Sequence, residues 1–162
     1  MSFNLPTNRL IDIFNKINNL EIIENHSDLK KLSRDFYNYS PVLTKILDPC
    51  IADLVVRPLD IDAVREVAQM CFDWSIPLTL RGSGTGNYGQ AVPLLGGVVM
   101  QMNNINKLEE FDPDTGFVKV QPGCIMGDLN RQLEKYGREL RLLPSTWRTA
   151  TIGGFIAGGS GG

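Results

Sequence analysis

Residues Arg81-Gly82-Ser83-Gly84-Thr85-Gly86-Asn87-Tyr88-Gly89 place four glycines in nine positions, between two apolar runs. Ile76-Pro77-Leu78-Thr79-Leu80 comes before them and reads as a short buried strand. Gly97-Val98-Val99-Met100-Gln101-Met102 follows and reads as another. Glycine lets the backbone take positive φ and lets a ligand approach the main chain closely. A run of such turns points successive N–H groups into one concavity, which suits an anion. The stretch therefore commits the chain to a strand–loop–strand unit and suggests a diphosphate cradle.

Other readings compete with it. The bland one is a connection that only turns the chain. A second is the dinucleotide fingerprint: Gly84, Gly86 and Gly89 fit G-x-G-x-x-G, and Glu109 or Glu110 falls near the expected acidic position. That fingerprint needs a helix opening directly on the glycines, so that its N-terminus meets the pyrophosphate. Pro93 and Gly96-Gly97 break helices, which argues against a Rossmann unit. No Lys-Ser or Lys-Thr follows the glycines, so a P-loop fails as well.

The surrounding pattern is α+β. Leu10, Ile11, Ile13, Phe14, Ile17 and Leu20 recur at helical spacing over residues 7–20, with Thr7 or Asn8 available as a cap. Glu21-Ile22-Ile23-Glu24 suggests a strand, and residues 27–36 a mostly polar surface helix beside His26. Asp53 to Arg57 reads as a strand closed by Pro58. Asp60 caps a helix running to Trp74, with Ile61, Val64, Val67, Ala68, Cys71 and Phe72 on one face. With residues 76–80 this makes a strand–helix–strand unit whose strands should be parallel. Leu108 to Phe111 and Phe117 to Gln121 flank Asp112-Pro113-Asp114-Thr115-Gly116, which has turn chemistry throughout, so a hairpin is predicted. A helix over 126–136 ends at Gly137, and 140–143 reads as a short extended segment.

Composition excludes several classes. The net charge is -2, which gives no electrostatic case for nucleic acid or an anionic membrane. No apolar run approaches the roughly 20 residues of a membrane span. The N-terminus lacks the plan of a signal peptide. Cys50, Cys71 and Cys124 are odd in number and widely spaced, which suits free thiols in a reducing cytoplasm. With His26 as the only histidine, neither a cysteine nucleophile nor a metal site has its partners. The last eight residues form a glycine-rich run, unusual for the end of a folded domain, and suggest a fragment.

A second loop strengthens the anion reading. Pro144-Ser145-Thr146 and Thr149-Ala150-Thr151-Ile152-Gly153-Gly154 again combine hydroxyls with glycine. Phosphates accept hydrogen bonds from hydroxyls and main-chain N–H groups alike. The local alternative is a helix N-cap followed by close packing at glycine. Neither loop contains an acidic residue, and Arg81 and Arg148 stand beside them.

Taken in order, these segments resemble the FAD-linked oxidases, the group that shares its flavin fold with vanillyl-alcohol oxidase and p-cresol methylhydroxylase (PCMH). The first loop and its continuation Gln90-Ala91-Val92-Pro93 and Gly96-Gly97-Val98-Val99 look like that family's first FAD loop. Val120-Gln121-Pro122-Gly123 and Asp128-Leu129-Asn130 resemble the strand and helix between its two loops. Pro144-Ser145-Thr146, Ala150 to Gly154 and Ser160-Gly161-Gly162 resemble the second loop. The spelling is most similar to the glycolate and D-lactate dehydrogenase branch.

The resemblance implies an α+β, PCMH-type FAD-binding domain over residues 51–162, holding the first α/β subdomain and the start of the second. Residues 1–50 would be an N-terminal helical extension. It implies that Arg81, Gly82, Ser83, Gly84, Thr85, Asn87, Tyr88 and Gly89 cradle the diphosphate. Pro144, Ser145, Thr151, Gly153, Gly154, Ser160 and Gly161 would line the diphosphate and the flavin side. Many members attach FAD to a histidine after the glycines; Thr85 stands there instead, so FAD is expected to be non-covalent. The implied full-length enzyme is an oxidoreductase moving a hydride from a carbinol carbon, such as that of a 2-hydroxy acid, to flavin N5. Its partners would be a small-molecule substrate and an electron-acceptor protein or subunit. No catalytic base is identifiable. The alternative is a truncated, non-catalytic fragment, or a module that binds a nucleotide or partner without turnover.

Overall fold

In the computed structural model, residues 5–159 are described. The elements in order are α1 (Thr7–Phe14), β1 (Leu20–Ile23), α2 (His26–Leu32), a 3-10 turn (Phe36–Tyr39), α3 (Pro41–Leu47), β2 (Leu54–Pro58) and α4 (Ile61–Asp73). Next come β3 (Leu78–Arg81), β4 (Val98–Gln101), β5 (Leu108–Phe111), β6 (Val118–Val120), α5 (Met126–Glu134) and α6 (Ile152–Ala157). Four strands form one sheet in the order β1-β2-β4-β3, and β5 and β6 form a separate hairpin. The fold is α+β, as the sequence pattern predicts.

Alternation along β2 and β4 builds a core on each face of the sheet. Leu54, Val56, Val98 and Met100 point one way and meet Leu10 and Phe14 of α1 and Val67 and Cys71 of α4. Val55 and Val99 point the other way and meet Leu29 and Leu32 of α2. Strands covered on both sides read as continuous apolar runs, which is how Leu54-Val55-Val56 and Val98-Val99-Met100 are spelled. β2 and β3 each pair in parallel with β4, which lies between them, and β1 adds antiparallel to β2.

Between β3 and β4 the chain runs through residues 82–97 without a helix. Parallel neighbours are usually joined by a helical crossover; here the connection is the glycine loop itself, so the Rossmann geometry is absent. The loop closes through Gly97, whose φ is 73° and where a Cβ would lie 2.2 Å from the carbonyl oxygen of Pro77. Asp53 accepts from the Gly97 N–H at 2.6 Å and fixes this end beside β2.

Several expectations shift. The first helix ends at Phe14 rather than Leu20, and Asn19, with φ 53°, then turns the chain into β1. Its N-cap is Pro6, with no side-chain bond from Thr7 or Asn8. The face of α4 is rotated: Ala63, Val67 and Cys71, at i, i+4 spacing, are buried in the core, whereas Ala68 and Phe72 are exposed off that face of the helix. Asp60 caps α4 as expected, accepting from the Ala63 N–H at 2.8 Å. Segment 27–36 is less polar in effect than it reads, since Ser33 and Asp35 are buried with Leu29 and Leu32. Helix α5 ends at Glu134, and Gly137 takes φ 66° just beyond it. Residues 140–143 form no strand; the Leu140 N–H instead donates to Asn130 Oδ1 at 2.9 Å.

The hairpin, α5 and α6 share a second core of Cys124, Leu129 and Leu133 with Leu108, Val118, Val120 and Ile152. It carries the second glycine loop. Ile152 N–H donates to Cys124 O at 2.9 Å, Gly153 N–H to Pro122 O at 2.8 Å, and Met126 N–H to Ala150 O at 2.9 Å.

Candidate functional site

The two glycine loops face each other across a cleft of about 280 Å³. Gly82, Ser83, Gly84, Thr85 and Gly86 form one wall. Thr146, Ala150, Thr151, Gly154 and Phe155 form the other. The approach is closest at Gly82, where a Cβ would stand 2.2 Å from Thr151 Oγ1. Only a residue without a side chain lets the loops come this near.

The main-chain N–H groups of Ser83, Gly84, Thr85 and Gly86 have no acceptor among the described residues. Buried or half-buried N–H groups are almost always paired, so four in succession on a cleft wall form a ready donor set for an anion. Ser83 adds a hydroxyl that accepts from Asn103 Nδ2 at 3.4 Å. On the opposite wall Thr151 is 1% exposed, and its Oγ1 accepts from the Gly154 N–H at 3.2 Å. It is therefore the N-cap of α6 as well as a lining residue.

Electrostatics beneath the first loop centre on Arg81. Its side chain is 7% exposed, Nη1 donates to Arg34 O at 2.6 Å, and burial pulls it below its ordinary pKa while Asp35 opposes that pull. The guanidinium lies directly under Gly84, whose φ is 69° and whose absent Cβ would overlap Nη2 at 2.2 Å. Arg81 thus supports the loop from behind and opens onto a second groove lined by Lys30, Lys31 and Arg34.

Other expected residues fall elsewhere. Asn87 and Tyr88 are exposed and do not line the cleft; Gly89 has φ 83° and rests on Leu47. Gly153 meets Pro122, so its role here is close packing, the local alternative for that loop. Pro144 and Ser145 lie off the wall, and Thr146 lines it instead. Arg148 stacks on Trp147 at 5.0 Å. Ser160 and Gly161 lie outside the described residues.

The structure adds lining residues outside the set that the resemblance implies: Asp35, Gly86, Gln90, Thr146, Phe155 and Gly158. Gly86 carried the same signal as its neighbours. Asp35 carried none, because it arrives from a segment far back in the chain. None of the cysteines lines the cleft. Cys71 and Cys124 are buried free thiols, Cys71 pushed up to about 11 by burial. No cluster of metal-ligating side chains occurs among the described residues.

A family model described as "FAD binding domain" matches residues 52–162. The chain belongs to that family. Glycolate oxidase subunit GlcD of Bacillus subtilis is 34% identical over 110 residues, 68% of this chain and 23% of that protein. D-lactate dehydrogenase of Anaerostipes hadrus is 33% identical over 110 residues, with the same coverage of 68% and 23%. D-2-hydroxyglutarate dehydrogenase of Pseudomonas putida is 30% identical over 142 residues, 85% of this chain and 14% of that protein. The chain spans less than a quarter of the length of these relatives. A solved structure of alkyldihydroxyacetonephosphate synthase superposes with a TM-score of 0.78 at 20% identity, over 99% of this chain and 33% of that one, which establishes the PCMH-type fold.

FAD fits what the cleft presents. A diphosphate needs donors that reach it without side chains in the way, and the Ser83–Gly86 main chain on the cleft wall provides them.

Proposed function

We propose that this FAD-binding domain is part of a flavin-dependent dehydrogenase or oxidase acting on a 2-hydroxy acid such as glycolate or lactate, with FAD bound non-covalently. The observation that carries the cofactor part is the row of N–H groups from Ser83 to Gly86, which have no acceptor among the described residues and lie on the wall opposite Thr151 and Gly154. The substrate class rests on the relatives, whose names share a 2-hydroxy acid.

When bound, FAD supplies the hydride acceptor. The chain's own residues hold it. Ser83 to Gly86 receive the diphosphate, Thr151 and Gly154 close on it from the other loop, and Arg81 adds positive charge beneath Gly84. Thr85 in place of a histidine, with His26 exposed at the start of α2, supports non-covalent attachment. Residues 1–50 are proposed as an extension to the domain over 51–162, with β1 joining the sheet and 35–47 reaching the first loop. An electron-acceptor protein or subunit as partner belongs to the same reading. A cytoplasmic location is supported by the three free thiols.

The test is spectroscopic. The protein in its full natural length should show flavin bands in the visible, release the yellow colour to the supernatant on acid precipitation, and bleach under anaerobic glycolate or D-lactate. Absence of flavin after FAD addition would sink the cofactor reading. Colour in the pellet would refute non-covalent attachment, and bands unchanged by any 2-hydroxy acid would refute the substrate class.

A further inference from the structure

The first glycine loop has little main-chain structure of its own. Among the described residues, 82–88 make one main-chain to main-chain hydrogen bond: the Phe36 N–H donates to Gly86 O at 2.8 Å. Phe36 lies before residue 52, where the family match begins. Further supports come from the same segment. At the start of the loop, Arg81 Nη1 donates to Arg34 O at 2.6 Å, and Gly84 sits over that guanidinium. Past its end, Gly89 rests on Leu47, and Val92 is buried with Tyr37 and Leu47.

The segment is fixed in its own right. Asp35 caps the 3-10 turn, its Oδ1 accepting from the Tyr37 N–H at 2.9 Å. The Tyr37 hydroxyl donates to Asp48 Oδ1 at 2.8 Å, and Arg34 pairs with Asp48 at 3.1 Å. Gly86 ends the donor row on the cleft wall, and its carbonyl is the one that is tied down. A glycine-rich chain samples many backbone states when nothing holds it, so a row of N–H groups keeps one arrangement only where an outside contact fixes its peptide planes. A loop ordered in advance binds more tightly, because less ordering remains to be done on binding. Phe36 lines the groove behind the loop and not the cleft, so its contribution needs no contact with the cofactor.

We propose that the Phe36 main-chain N–H is a positioning group of the cofactor cleft: by holding Gly86 O it fixes the end of the Ser83–Gly86 donor row. Cofactor affinity is then set in part by a segment outside the matched domain. The proposal rests on the reading that this loop receives the FAD diphosphate.

The turn geometry allows this single donor to be removed. Phe36 is the first residue of the 3-10 turn, and Asp35 before it is extended, with φ -114° and ψ -155°. Proline is tolerated at such a position. Its ring carbon would stand where the N–H points, so Phe36→Pro unpairs and displaces the Gly86 carbonyl while keeping the turn. Phe36→Ala is the control, because it removes the partly exposed ring and keeps the N–H. In the full natural-length protein, Phe36→Pro should weaken FAD about three- to tenfold relative to Phe36→Ala, read by flavin fluorescence. Without FAD, chymotrypsin should cut after the exposed Tyr88 several-fold faster in Phe36→Pro than in Phe36→Ala. Equal affinities would overturn the proposal, and so would equal cutting rates. If Phe36→Pro does not fold, hydrogen exchange of the wild-type protein decides: the Phe36 amide should exchange slowly and become slower still on FAD binding, and a Phe36 amide indifferent to FAD would refute the coupling. If the wild-type protein binds no FAD, the functional reading is lost. The anchoring of the loop is then judged on cutting after Tyr88 alone, where a faster cut in Phe36→Pro supports it and equal rates refute it.

Discussion

At Gly82 a single absent methyl group decides how close two loops come. A Cβ there would overlap Thr151 Oγ1 at 2.2 Å, and Thr151 is pinned by its bond from Gly154 and by the pairing of Thr151 with Ile125. Gly82→Ala should therefore cost about 1–3 kcal/mol in stability by overpacking and loosen FAD. Gly82→Ala combined with Thr151→Ala should recover part of that loss, because the second change vacates the space, even though it removes an N-cap worth about 1 kcal/mol. Chemical denaturation of the two single variants and the double variant reads both effects. Strictly additive losses would show that the contact at Gly82 is not the cause.

A second residue-scale prediction concerns acid. The Asp60 carboxyl is held below its ordinary value, first by the Ala63 N–H and then by the Asn19 amide. A carboxylate depressed in the folded state contributes stability above its unfolded pKa and loses it as pH falls through the folded value. Asp112 is lowered in the same direction by Thr115 and the turn N–H groups. Stability should thus decline below about pH 4, and Asp60→Asn, which keeps an acceptor for the cap, should decline less steeply. Identical acid limbs for the two proteins would contradict the assignment.

Among the elements, β2 and β4 carry the domain. Leu54 is 0% exposed and lies in the cluster that joins α1, α4 and the sheet. Leu54→Ala should cost about 2–5 kcal/mol, measured by denaturant titration; a cost under about 1 kcal/mol would mean that this cluster is not the main core. Elements of this kind were legible because their signals are local. Apolar runs bounded by Pro58 and by Gly96-Gly97 mark β2 and β4, Asp60 marks the start of α4, and Asp112 to Gly116 mark the hairpin turn. The misreadings were tertiary. Phe72 matches the helical period of α4 but lies off the face formed by Ala63, Val67 and Cys71, Ala63 is too small to announce itself as core, and residues 140–143 look extended but have no strand to pair with.

At the scale of the whole molecule, the site is assembled from three distant parts of the chain: residues 35–47, the loop from 82, and the loop around Thr151. The first glycine loop was legible, because glycine spacing and a helix-breaking Pro93 are written in consecutive residues. The direction each residue faces was not. Asn87 and Tyr88 turn outward, Gly153 spends itself on Pro122, and Gly86 joins the wall. Asp35 was hidden altogether, since only the packing of the segment after α2 against the loop brings it to the cleft. The central claim is that the Ser83–Gly86 main chain receives the FAD diphosphate. Amide hydrogen exchange of the full natural-length protein, with and without saturating FAD, tests this most directly. The account predicts that the amides of Ser83 to Gly86 exchange rapidly in the free protein and become strongly protected on binding, with Gly154 protected alongside them. Bound FAD that leaves those amides exchanging at their free rates would contradict it.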